Sequence, residues 1–205
     1  SLVIDIRDVE ESELPNDIYG LADEKFRNRL GLAPTNSSFI AMVACMIELD
    51  GEEKVLNWLT KINGLGYGEY PNNSPQAAAV AAGELDIGMI NHYYTLRILA
   101  ENGDEPIKNV YLDDGCGAMV MPAGIGILSS SQNKPEALAF IEFLHSKSVQ
   151  EIFTNKIYEF PLVVGIQPNA LLPDINSLNT PPNLDWSVLS IWQEKAVELI
   201  AQAGF

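Results

Sequence analysis

Two adjacent phenols stand out in this chain, in the stretch "GELDIGMINHYYTLRILAE" (Gly83–Glu101). Tyr93 and Tyr94 follow Asn91 and His92, where a buried strand gives way to a helix. If Asn91 caps that helix, both tyrosines fall in its first turn, and their oxygens can project beyond the helix end. A free phenol has a pKa of about 10, so phenolate is scarce near neutrality unless something stabilises the charge. A hard trivalent cation such as ferric iron would do so, and hard oxygen donors suit it. Tyrosine pairs also pack in cores with their hydroxyls bonded to backbone, and spacing alone leaves both readings open. His92 by itself reads as a structural histidine.

Two further helix starts carry polar residues: "TNSS" (Asn36–Ser38 with Thr35) and "NNS" (Asn72–Ser74). Helix N-termini present free N–H groups and a partial positive charge. Two of the three starts directly follow an expected strand, and together the three could hold a small anion without lysine or arginine.

The elements that would position these residues follow from pattern and punctuation. Residues 1–6 and 29–33 read as strands, and "LDIGMI" as a buried strand. Ser37 is expected to cap an apolar helix from Ser38 to Leu49, stopped by Asp50-Gly51. "EEKVLNWLTKIN" is amphipathic, with Val55, Trp58, Leu59 and Ile62 on one face. Gly64, Gly66 and Gly68 suggest an open loop. Asn73 or Ser74 is expected to cap a helix with Pro75 in its first turn and Gly83 at its end, and Asn102-Gly103 ends the next. Further on, "AMVMPAGIGILSSS" is expected as a long apolar strand region and "YEFPLVVG" as a returning strand. One or two helices should lie between them, and a terminal amphipathic helix is capped by Asp185. Strands alternating with helices imply an α/β fold with crossover connections.

The chain has 205 residues, 12 Lys+Arg against 28 Asp+Glu, and a formal net charge of −16. So acidic a surface argues against nucleic acid and anionic membranes as partners. Neither a Gly-x-Ser-x-Gly elbow nor a phosphate-loop motif occurs, and Asp113-Asp114 before glycine reads as a turn, so no enzyme is expected. Cys45 and Cys116 are the only cysteines. Two are few for a disulfide framework and lack zinc spacing, so buried free thiols are expected. The opening "SLVIDI" reads as a strand already under way, which suggests a piece of a longer protein or a processed form.

Four segments together resemble the ferric-ion-binding proteins of ABC-type iron uptake, which are periplasmic binding proteins with a type II two-lobed fold. They are "LPNDIYGLADEKFRNRLGLAPTNSSF", "GEEKVLNWL", "NNSPQAAAVAAGELDIGMINHYY" and "YEFPLVVGIQP". The resemblance implies Fe(III) bound by Tyr93 and Tyr94, completed by phosphate or carbonate as a synergistic anion. It implies that Ser37, Asn73 and Asn91 touch the anion, with Ser38 lending a backbone N–H. It also implies a second-lobe α/β domain over residues 1–121, a return to the first lobe over 122–166, and a connector and terminal helix over 167–205. The family is longer, and its first lobe contributes further ligands, so this chain would hold about half of the metal site. Its apolar middle segment would then fold back, pair with another copy of the chain, or meet a separately encoded or cleaved first half. The implied location is periplasmic, or extracellular and membrane-anchored, and the implied partner is an inner-membrane ABC permease. A second reading keeps the fold but binds a small anion or organic solute without iron.

Overall fold

The structure is a computed structural model describing residues 1–182 and 184–205. The elements run β1 (Leu2–Asp5), β2 (Leu30–Leu32), α1 (Ser37–Asp50), α2 (Glu52–Leu65), β3 (Tyr67–Glu69), α3 (Asn73–Ala82), β4 (Ile87–Met89), α4 (His92–Asn102) and β5 (Ile107–Val110). They continue with α5 (Lys134–Leu144), α6 (Lys147–Ile152) and α7 (Trp186–Gln202). Short 3-10 turns include Ile18–Ala22 and Cys116–Ala118. The chain divides into two compact units, residues 1–119 with 178–205, and residues 120–177.

The first unit is built on a five-stranded sheet of order β3-β2-β4-β1-β5. β2 runs parallel to β3 and to β4, whereas β1 is antiparallel to both β4 and β5. β1 and β4 are buried throughout, and apart from Asp5 at the end of β1 they carry no polar side chain, as strands covered on both faces do. Each of the three mutually parallel strands leads directly into a helix. Residues 33–36 join β2 to α1, 70–72 join β3 to α3, and 90–91 join β4 to α4. Parallel neighbours end on the same side of a sheet, so the N-termini of α1, α3 and α4 open along one edge.

The helices form as their patterns require. Val55, Trp58, Leu59 and Ile62 of α2 are all buried. Trp58 donates its indole N–H to the Ile18 carbonyl at 3.0 Å, which ties α2 to the turn at Ile18–Ala22. α3 ends at Gly83, whose φ of 76° is the left-handed conformation glycine adopts without a Cβ penalty. α7 starts at Asp185, whose carboxylate accepts from the Ser187 N–H, and it packs on α1 and α2.

Several expectations need correction. β3 occupies the glycine-rich stretch expected as a loop, because pairing with β2 outweighs the weak strand preference of Tyr-Gly-Glu. β5 had no strong signal. Ile107 and Val110 are buried while Lys108 is exposed, too short a pattern to read unaided. Neither "AMVMPAGIGILSSS" nor "YEFPLVVG" forms a strand among the described residues. A strand exists only with a hydrogen-bonded neighbour, and neither segment pairs with one here.

The cysteines are not free thiols. Cys45 of α1 and Cys116 form a disulfide, with Cα atoms 5.8 Å apart across 71 positions of sequence. The turn that follows β5 carries Cys116 back against α1, a closure only the tertiary path creates.

In the second unit, α5 buries none of its residues, and Leu138, Phe140 and Phe143 on it are exposed. Val149, Gln150, Thr154, Tyr158 and Leu172 are buried. Thr154 Oγ1 accepts from the Asn169 N–H at 2.8 Å, and Gln150 Nε2 donates to the Leu144 carbonyl at 2.9 Å.

Candidate metal and anion site

Tyr93 and Tyr94 lie in the first turn of α4, which begins directly after β4. Their ring centroids are 4.6 Å apart with planes at 37°. Both side chains are partly buried. Tyr94 packs against a small cluster that includes Val3, Ala77, Val80 and Ile90, so its ring is anchored on the core.

Asn91 occupies the N-cap position of α4 in an extended conformation, but its side chain does not cap the helix. Instead its Nδ2 donates to the Tyr93 hydroxyl oxygen at 2.9 Å. The residue expected at an anion thus rests on one of the phenols. An N–H donor on a phenol oxygen favours the charged form of that oxygen.

The other two helix starts meet through Asn36. This residue is the N-cap of α1, one position earlier than expected, and Ser37 is the exposed first residue of the helix. Asn36 Nδ2 donates to Ser38 Oγ at 2.9 Å and to Asn73 Oδ1 at 3.1 Å, joining the starts of α1 and α3. The cap of α3 is Asn72, earlier than the expected Asn73 or Ser74, and its side chain accepts from the Ser74 N–H at 3.1 Å. Asn73 itself is 2% exposed, and its Nδ2 has no partner. A buried donor without an acceptor is costly and rare, and here it sits at a helix start.

α3 is held in place by Gln76, which is fully buried and donates to the Gly31 carbonyl of β2 at 2.5 Å. Beside α4, Asn109 of β5 donates to the His92 carbonyl at 2.8 Å. The His92 ring lies 5.5 Å from Tyr93 and 6.4 Å from Tyr111. Burial pushes the Tyr111 hydroxyl up to about 12.

The structure therefore gathers the expected residues into two groups. Ser38 and Asn73 meet through Asn36, and Asn91 meets Tyr93 beside Tyr94. Both groups stand at the same edge of the sheet, because β2 and β4 are parallel neighbours. Asn36 was not singled out from the sequence beyond its place in a polar helix start. Its bridging role depends on α1 and α3 being brought together by the pairing of β2 with β3, whose residues are some 37 positions apart in sequence. Among the described residues, no cluster of three or more His, Cys, Asp or Glu side chains is placed to hold a metal ion.

Comparison with known proteins agrees with this architecture. Residues 1–190 match the family of bacterial extracellular solute-binding proteins. The chain is 34% identical over 206 residues to the major ferric iron-binding protein of Neisseria meningitidis serogroup B, covering 99% of this chain and 61% of that protein. It is 34% identical over 198 residues to the Fe(3+)-binding periplasmic protein of Serratia marcescens, covering 95% and 57%. The structure of iron-bound HitA from Pseudomonas aeruginosa superposes with a TM-score of 0.92 at 30% identity, covering 100% of this chain and 66% of that one. The chain thus spans less than two thirds of the length of the curated relatives it matches. On its fold and its sequence, the chain belongs to the bacterial extracellular solute-binding proteins and carries part of their type II periplasmic-binding-protein architecture.

Proposed function

We propose that the chain captures ferric iron outside the cytoplasm and delivers it to an ABC permease in the inner membrane. Tyr93 and Tyr94 are the iron ligands, and Ser37, Ser38, Asn73 and Asn91 serve a synergistic anion, phosphate or carbonate. One observation carries this reading. Two phenols stand together on the first turn of α4, and one of them already accepts a hydrogen bond from Asn91. Phenolate is a hard, anionic donor, and the helix start favours its charge. Deprotonation accompanies metal binding, so iron capture releases protons.

The anion part rests on the start of α3. The unpartnered Nδ2 of the buried Asn73 is a donor with no protein acceptor, beside the start of α1, whose N-cap side chain makes no capping bond. That same observation favours a second reading, in which the helix starts hold an anionic solute and the tyrosines only wall the site.

In this proposal the chain is a binding protein and not an enzyme. Residues 120–177 form part of the first lobe, and the exposed Leu138, Phe140 and Phe143 of α5 pack on the remainder of that lobe. An extracytoplasmic location accords with the Cys45–Cys116 disulfide, since such bonds persist in oxidising compartments. Adding a ferric chelate in the presence of phosphate or carbonate tests the iron reading. It predicts a visible charge-transfer band. Anion binding without such a band would favour the second reading.

A further inference from the structure

Arg97 lies on α4, four residues after Tyr93 and three after Tyr94, the spacings that place side chains on one helix face. Its guanidinium carbon is 5.2 Å from the centre of the Tyr93 ring and 5.7 Å from that of Tyr94. The chain has four arginines, and three of them are bonded to carboxylates. Arg7 pairs with Asp5, Arg27 with Glu24, and Arg29 with Asp86. Among the described residues, Arg97 has no carboxylate within ion-pair distance, although acids outnumber Lys+Arg by 28 to 12. An arginine left unneutralised in so acidic a chain, lying across two tyrosine rings, is placed to meet negative charge that develops on those rings.

We infer that Arg97 is the charge-compensating residue of the tyrosine pair. The inference rests on the iron reading above. Two phenolates on rings 4.6 Å apart repel each other, and a helix N-terminus supplies only about half a unit of positive charge. A planar guanidinium can face both rings at once, which a compact ammonium does less well. The cation is attracted only weakly to neutral phenols and strongly to phenolates, so its effect is realised once iron is bound. It stabilises the electrons that the phenolates would donate to the metal, and so raises the energy of the phenolate-to-iron charge-transfer transition. Arg97 thus acts as a positioning residue through the two rings and is not itself a ligand.

The test compares the unaltered chain with Arg97→Leu and Arg97→Lys, loaded with ferric iron and phosphate. The visible band is recorded, and iron is then withdrawn by citrate competition. Far-UV circular dichroism of the iron-free variants confirms that the fold is kept. Arg97→Leu should move the band to longer wavelength and weaken iron retention by about tenfold or more. Arg97→Lys should restore part of both effects, a rescue that a merely structural role would not give. A band and a citrate midpoint unchanged in Arg97→Leu would overturn this inference alone. Absence of any band in the unaltered chain would overturn the iron reading, and this inference with it.

Discussion

Removal of the Cys45–Cys116 disulfide should destabilise the first unit by several kcal/mol. The bond closes a loop of 71 positions that contains β3 to β5 and the helices α2 to α4. In the chain-entropy treatment, a loop of that length removes about 15 cal/mol/K from the unfolded ensemble, or about 4.4 kcal/mol at 25 °C. Both sulfurs are buried in the main core cluster, so replacement by alanine also loses a little packing. The double variant Cys45→Ala/Cys116→Ala should therefore unfold at lower urea, by about 4 kcal/mol, and melt about 10 °C or more below the oxidised chain. The three tryptophans, Trp58, Trp186 and Trp192, all belong to the first unit, so intrinsic fluorescence follows that unit alone. Urea titration of the variant, and of the unaltered chain with and without a reductant, measures the difference directly. Equal midpoints for the oxidised and reduced forms would refute the loop-closure argument. It would mean that the unfolded chain already keeps those residues close.

Asn73→Leu should remove the unpartnered donor at the start of α3 and weaken phosphate binding to the iron-free chain by about tenfold or more, as calorimetry can measure. Unchanged phosphate affinity would exclude Asn73 from the anion site. Alkaline pH should destabilise the fold through Tyr111. Its folded pKa lies near 12, above the usual tyrosine value of 10, so the folded form holds the proton more tightly. The stability this contributes is present below about pH 10 and falls as pH rises toward 12. The decline should be shallower in Tyr111→Phe, as urea titrations across that range would reveal. Gly83→Ala should cost about 1 kcal/mol or more, since φ is 76° and a Cβ would come within 2.9 Å of Arg7 Nη2; thermal melting checks it.

What could be read in the sequence divides along physical lines. Local signals placed most of the first unit. The apolar spacing of α2, the Asp185 cap, the glycine stops at Gly51, Gly83 and Gly103, and the buried strand at β4 depend on neighbours within a few residues. The tyrosine pair was legible for the same reason, because a strand end followed by Asn-His-Tyr-Tyr fixes its place on a helix start. What escaped depends on partners far along the chain. The disulfide joins residues 71 positions apart, β3 exists by virtue of β2, and Asn36 meets Asn73 only because β2 and β3 pair. Asn91 is instructive, since its cap position was legible but its side chain turns to Tyr93. The second unit was misread in the opposite direction. Apolar composition at residues 118–131 and 158–165 suggested strands, yet composition supplies no hydrogen-bond partner.

The central claim is that Tyr93 and Tyr94 bind ferric iron as phenolates. Its most direct test is the visible spectrum of the chain titrated with a ferric chelate and phosphate or carbonate, beside Tyr93→Phe and Tyr94→Phe. Two phenolate ligands predict a charge-transfer band in the unaltered chain that is weakened or shifted in each single variant and lost in the double variant Tyr93→Phe/Tyr94→Phe, with the fold unchanged by circular dichroism. A band unchanged in either single variant, or no band in the unaltered chain while iron binding persists, would contradict it.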